Sequence, residues 1–491
     1  MRTQSAHYRD DLLAAIEGCV LLLLIASGAL ALELRWLSLG AAVRLSVVFL
    51  SSLLLLAWKR FDGGRHPCFL FLGMLLVFQG GRLIGYTFGI LDDPFQIIVQ
   101  TAIPIDISRS SASITLLLIT LSAVSGYLPS RWRFKPAKLE DSRAKEWLPF
   151  AYVLLALTFP LMLYKNYLYF SFVRSHGGYL SVYTDSDAIV HTAGTLVRTV
   201  SLIAFNLFLI VFVLERRWKF VVPIAVLFLA STFLELLIGF RGKAFLLVIT
   251  LWYLNNLKRG TGFRLVPLAA TFAILSLLAV AVAGFRENRA TVLFSPVEFI
   301  SGQGVSLGVT ETAVEFRRVF QPHGMDYLFY SLETSYKPSG TFQQGQIFDN
   351  DVSVFLNLSA FLNGFAAGGS YLAESYIVGG ILFTAICSIV IGCGLRVLHN
   401  ASGYASGAVA LAMLMPGMIY LPRTGLFEPI ASGIKNLIAA YLIYACLWML
   451  RRGSYPFKGS FNRLPISPLS YATPGERGGQ RGNAERNGAQ D

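Results

Sequence analysis

The sequence predicts an all-α polytopic membrane protein with about twelve transmembrane helices, and three observations predict it. Hydrophobic residues make up 55% of the chain and charged residues 14%, against about 25% charged in an ordinary soluble domain. Apolar stretches of spanning length, about 20 residues at 1.5 Å rise, recur along most of the 491 residues. Lys and Arg collect after every second stretch, the mark of short cytoplasmic loops. With a mean hydropathy of +0.59, this composition excludes a soluble enzyme, a disordered chain and a disulfide-stapled secreted domain. The net charge of +13 would point to nucleic acid in a soluble protein. Here it reads as basic loops on one side of a membrane, and no nucleic-acid partner is expected. Cys19, Cys68, Cys387, Cys393 and Cys446 all sit in apolar stretches without CxxC spacing, so they read as small buried hydrophobes.

In chain order the predicted spans are 12–32, 38–58, 67–88, 110–128, 147–165, 193–215, 219–239, 242–257, 264–284, 371–394, 402–421 and 425–449. The first is too long for a signal-peptide core and lacks a clear cleavage site, so it reads as a signal anchor. Only Arg241 and Gly242 separate spans 7 and 8, a very tight hairpin or a broken helix. Basic residues follow span 2 (Lys59, Arg60, Arg65), span 4 (Arg131, Arg133, Lys135, Lys138, Arg143, Lys145), span 6 (Arg216, Arg217, Lys219), span 8 (Lys258, Arg259, Arg264) and span 12 (Arg451, Arg452). All are even-numbered exits, which places both termini in the cytoplasm. Two far-side loops are substantial, 166–192 and 285–370. Residues 1–452 form one transmembrane domain, and 453–491, rich in Gly, Ser, Arg and Asn, reads as a disordered basic cytoplasmic tail.

Ionisable groups at membrane depth are costly and need a reason. Many lie at the far-side ends of spans: Lys165, Arg174, His176, His191, Arg198, Glu235, Arg241, Lys243, Arg286, Arg289, Glu298, Glu374, Arg423 and Glu428, with Lys435 deeper in span 12. Singly, each reads most simply as an interfacial snorkel or an ion pair. Together they predict a far-side site for an anionic ligand. Arg241 between glycines, in Gly239-Phe240-Arg241-Gly242-Lys243, offers a fork for phosphate oxygens, although a plain tight turn explains the glycines equally well. Arg286 and Arg289 are three apart on one helical face and could bracket a pyrophosphate. Asp185-Ser186-Asp187 resembles a nucleotide-sugar metal motif but falls in a far-side loop, where nucleotides are absent. HExxH and a Walker A loop are missing from the sequence, and no metal site or cofactor is expected. Aromatics crowd both far-side loops, among them Tyr167, Tyr169, Tyr179 and Tyr183, and suit either an interfacial belt or stacking on sugar rings.

The order of features resembles the O-antigen polymerase (Wzy-type) repeat-unit polymerases of bacterial envelopes. The resemblance rests on Lys165 with Gly178-Tyr179 and Tyr183, on Phe240-Arg241-Gly242, and on Glu298-Phe299 with Gly302-Gln303-Gly304. It rests also on Ala373-Glu374-Ser375-Tyr376 followed by Gly379-Gly380, and on Arg423. It covers roughly residues 150–430; where the family has an aromatic-Gly pair, this chain has Val378-Gly379.

The resemblance implies a metal-independent glycosyltransferase of GT-C type in the inner membrane, with a large external loop between spans 9 and 10. A glycan on undecaprenyl pyrophosphate would pass to the next lipid-linked repeat unit at the periplasmic face, making O-antigen or a related surface polysaccharide. A flippase and a chain-length regulator of the same pathway are the implied partners, beside membrane lipids. Fixed guanidinium groups would stabilise the leaving diphosphate: Arg241, Arg286 and Arg289 first, Lys165 and Arg423 behind them, with Tyr179 and Gln303 as further glycan contacts. The acceptor hydroxyl needs a base, and His176, Glu374 and Glu298 all remain open. Two alternatives are a secondary transporter or lipid-linked-oligosaccharide flippase, which twelve spans would fit, and an O-antigen ligase, whose external-loop histidine could only be His323.

Overall fold

A computed structural model describes residues 2–95, 108–131, 148–176, 192–238, 241–264, 295–333, 345–362 and 367–454, with short pieces between 266 and 277. Among these residues every regular element is helical. Met1–Trp448 is one compact unit; of the second, Met449–Asp491, the described residues belong to the last helix and end at Ser454.

Helices α1 (Arg2–Glu33), α2 (Leu39–Arg60), α3 (Pro67–Phe78), α4 (Gly81–Thr87), α5 (Arg109–Arg131), α6 (Leu148–Ser175), α7 (Gly194–Leu214), α8 (Trp218–Ile238) and α9 (Arg241–Arg259) come first. The segment between predicted spans 9 and 10 supplies α10 (Pro296–Gln303), α11 (Val305–Glu315), α12 (Arg317–Phe320), α13 (Gly324–Glu333) and α14 (Phe348–Leu362). Then follow α15 (Tyr371–Ala401), α16 (Ala405–Tyr420) and α17 (Phe427–Ser454). Eight of the described helices are long and apolar enough to cross a membrane, or nine if α3 and α4, bent by 56° at their break, count as one span. Helices α9 and α17 occupy the positions of predicted spans 8 and 12 but do not pass that test, and about half of predicted span 9 falls outside the described residues.

Helix α5 is the centre of the bundle, packed by α1, α2, α11 and, most extensively, α15. Small residues allow that packing: a side chain on Gly392 of α15 would strike the carbonyl of Gly126 in α5. The Ser130 hydroxyl lies 3.1 Å from the Gly392 carbonyl at the same crossing. Close backbone approach of this kind drives helix association where lipid offers no hydrophobic gain.

Helix α15 is not the straight span the apolar run 371–394 predicts. The Tyr371 hydroxyl lies 3.3 Å from the Ser388 Oγ, and Ser375 Oγ donates to Thr384 Oγ1 at 3.0 Å. In a continuous helix residues nine or seventeen apart would be well over 10 Å apart. Both pairs centre on Gly379-Gly380, where Gly380 takes φ 69°, ψ −158°, a region essentially restricted to glycine. The chain therefore doubles back there. A long arm, 381–401, rises about 30 Å, enough to cross the bilayer. A short arm, 371–378, lies antiparallel to it.

The segment between predicted spans 9 and 10 is largely helical where described and, with Ile377 of α15, forms a separate apolar core that includes Val309, Phe320, Tyr327, Phe348 and Val352. It packs down on the bundle through α10 against α4 and α11 against α5 and α15. The predicted basic exits after spans 2, 6 and 8 meet at the opposite end. Phe263 N donates to the Gly63 carbonyl, Trp58 Nε1 to the Phe263 carbonyl at 3.0 Å, and Tyr253 Oη to the Arg65 carbonyl at 3.0 Å. Lys258 Nζ lies 2.7 Å from the carbonyls of Phe212 and Glu215.

Candidate functional site

At the end away from those basic loops, breaks in four elements converge. Helix α3 stops at Phe78, and Gln79, fully buried, turns inward at the break. Its Nε2 donates to Ser370 Oγ at 2.8 Å and to the Pro422 carbonyl at 2.9 Å, and its Oε1 accepts from Thr310 Oγ1 at 3.1 Å. Ser370 caps α15, accepting from Leu372 N. Gln79 thus ties α3, α11, the start of α15 and the turn after α16 into one unit. Irregular backbone at membrane depth needs such internal partners or a cavity.

Around this knot glycines line three ionisable side chains, two of them so closely that a side chain would force a shift. A side chain on Gly369 would collide with the Asp349 carboxylate. One on Gly425 would reach within 2.9 Å of Glu374 Oε2, and one on Gly368 (φ 77°) within 3.5 Å of the Arg423 guanidinium carbon. Glu374, 3% exposed on the short arm of α15, accepts from Leu426 N at the entry to α17. Arg423 ends the 3-10 turn after α16; its guanidinium stands over the Phe78 ring at 5.8 Å, with Nη1 3.4 Å from Ser306 Oγ. Asp349 lies in the first turn of α14. Its loop is held in place by Ser353, whose Oγ accepts from Ala367 N at 3.0 Å.

Asp349 and Arg423 keep partial access, Glu428 stands exposed at the rim, and Glu374 lies beneath. The result is a glycine-walled recess with three carboxylates and one guanidinium. Burial, reinforced by Glu428 and then Glu374, pushes the Asp349 carboxyl well above the usual carboxylate range, and Arg423 pulls it part of the way back. Raised proton affinity makes the ionised form of such a carboxylate a stronger base.

The residues predicted from sequence fare unequally. Glu374 and Arg423 are brought together here. Lys165 instead pairs with Glu235 at 3.8 Å and stands over the Tyr169 ring. His176 is exposed at the end of α6, stacked on Phe172 at 4.0 Å. Glu298 is exposed in the first turn of α10, where its amide is capped by Ser295 Oγ, and Gln303 is the last residue of the same helix. Arg241 is the first residue of α9; its side chain, like Arg286, Arg289 and Tyr179, lies outside the described residues. Asp349 and Gln79 are not among the residues proposed from sequence, and Glu428 is there only as one of the far-side ionisable groups, without a role of its own. The usable signal for Asp349 was Phe348-Asp349-Asn350-Asp351, an acidic pair opening an apolar helix just after Gly345.

A polytopic helical membrane protein with a recessed, carboxylate-rich site at one end of the bundle is the class these features define. The model of one family, O-antigen polysaccharide polymerase Wzy, matches residues 18–453, and the chain belongs to that family. No curated protein and no solved structure matches the chain.

Proposed function

We propose that this polymerase joins oligosaccharide repeat units carried on undecaprenyl pyrophosphate, at the periplasmic face of the inner membrane, without a metal. The observation that carries the reading is the recess joining Asp349, Glu374 and Arg423. Membership of the family supplies the polymerisation of repeat units; the recess supplies chemistry fit for it. The acceptor sugar's hydroxyl oxygen attacks the anomeric carbon of the donor glycan and forms the new C–O bond. Its proton passes to the Asp349 carboxylate. The bond from that carbon to the diphosphate breaks, and the electron pair leaves with the diphosphate. Glu374 and Arg423 act on Asp349 from opposite sides, one raising its proton affinity and the other limiting the rise.

The same reading keeps twelve spans in a GT-C-like arrangement with cytoplasmic termini, supported by the gathering of the basic exits at one end. Reporter fusions at Gly340 and Lys138 should then give periplasmic and cytoplasmic signals respectively; the same side for both would end the topology. A strain lacking the protein should cap its core lipid with a single repeat unit and lose the long ladder on a silver-stained gel. Loss of all O-antigen would instead indicate a flippase or a ligase, and an unchanged ladder would reject the reading.

A further inference from the structure

The recess answers for the proton but poorly for the leaving group. A diphosphate placed at Arg423 would face Asp349, Glu374 and Glu428, and like charges at close range repel strongly where water is scarce. A second guanidinium stands in different company. Arg317, the first residue of α12, lies over the Tyr376 ring at 5.1 Å from its centroid. Its Nε is buried without a hydrogen-bond partner, and no carboxylate pairs with it among the described residues. Its Nη2 lies 3.6 Å from the point a side chain on Gly380 would occupy. Gly380 is where α15 doubles back, so the long arm begins beside this guanidinium. The first amides of that arm have no intrahelical acceptor and form the positive end of its dipole. A guanidinium with no carboxylate partner among the described residues and the N-terminal end of a helix thus meet at one point. Tyr376, which holds the fork, lies two residues along the short arm from Glu374.

Building on the polymerase reading, we infer that Arg317, seated on Tyr376 at the Gly380 reversal, binds the diphosphate of the lipid-linked donor and stabilises it as it leaves. The carboxylate recess then handles the attacking hydroxyl and Arg317 the departing oxygen. This division suits a displacement in which nucleophile and leaving group need opposite charges beside them.

The test uses the full-length protein in nanodiscs and farnesyl diphosphate as probe, by calorimetric titration at fixed salt. Arg317→Gln should weaken binding by about thirtyfold or more, and Arg317→Lys by about tenfold, because an ammonium keeps the charge but not the bidentate fork. Arg423→Gln should stay within about threefold of wild type, because the carboxylates around Arg423 repel a diphosphate. Wild-type affinity in Arg317→Gln, or an equal loss in Arg423→Gln, would overturn the assignment. If Arg317→Gln does not fold, Arg317→Lys decides alone: wild-type binding rejects the inference and a tenfold loss supports it. Inorganic pyrophosphate binding as tightly as farnesyl diphosphate would reassign the site to free phosphate and so reject it. Binding is read without an acceptor. A protein that binds the probe through Arg317 yet never extends lipid-linked units would refute the polymerase mechanism and leave this inference standing.

Discussion

The two ends of the bundle handle charge differently. At the basic end, Glu17 accepts from Tyr127 Oη at 2.8 Å and pairs with Arg131 and, at 3.5 Å, with Arg60. Glu215 there accepts from Tyr152 Oη at 2.9 Å and pairs with Arg217 at 3.1 Å. Each acid is outnumbered by the donors around it. In the recess the balance is reversed, with Asp349, Glu374 and Glu428 around Arg423. Burying acids together raises free energy, which a purely structural arrangement would avoid. On the proposed reading, the contrast separates charges that hold the fold from charges kept poised for a reaction.

The strongest way to break that contrast is Asp349→Asn. It keeps size and hydrogen-bonding atoms and removes the base, so polymer synthesis should fall by about 10²–10⁴, measured as repeat units transferred per folded molecule. A carboxylate that only stabilised the first turn of α14 would be replaced by Asn with little loss of turnover. Next in size is Gly369→Ala. Its methyl group falls on the Asp349 carboxylate and must turn it away. A displacement of about 1 Å at a reacting group costs on the order of 10²-fold in rate. Full activity in this variant would mean that the carboxylate is not where the chemistry occurs.

At the basic end the expected effect is on stability alone. Glu17→Gln loses charge-assisted hydrogen bonds to Arg131 and Tyr127, at a cost of about 1.5–3 kcal/mol. The thermal midpoint in detergent should drop. Activity per folded molecule should stay within about twofold, because the recess is distant and shares no partner with Glu17. A loss of turnover at unchanged stability would erase the distinction between the two ends.

Much of this was legible in the sequence, and the limits have physical causes. Hydropathy and loop charge reveal which segments are helical, apolar and grouped at one end, because lipid solvation acts on each segment alone. They brought out Glu374 and Arg423 by depth. Depth carries no information about azimuth, so Lys165, Glu298 and His176 met the same criterion, and the structure gives them local partners or an exposed position. The reversal at Gly379-Gly380 was invisible because an apolar run that folds back has the same composition as one that crosses. Without that reversal Arg317 cannot be placed beside the site. Asp349 was hidden for a related reason: it lies in the long segment between predicted spans 9 and 10, where sequence position fixes no depth.

The smallest effect refines the recess itself. Glu428 sits at the exposed rim, yet it is the largest charge contribution raising the Asp349 carboxyl, second only to burial. A base whose proton affinity is raised is inactive while protonated, so polymerisation should increase with pH through the Asp349 titration. Glu428→Gln removes a neighbouring negative charge, which makes the ionised form of Asp349 easier to reach. The acid limb of the pH–rate profile should therefore move to lower pH, with the plateau rate little changed. Solvent and salt screen a rim charge, so the displacement should shrink as ionic strength rises. Asp349→Asn should abolish the limb in whatever activity remains, while Glu17→Gln should leave it in place. A limb that stays fixed in Glu428→Gln at low salt would assign the titration to a group outside this recess.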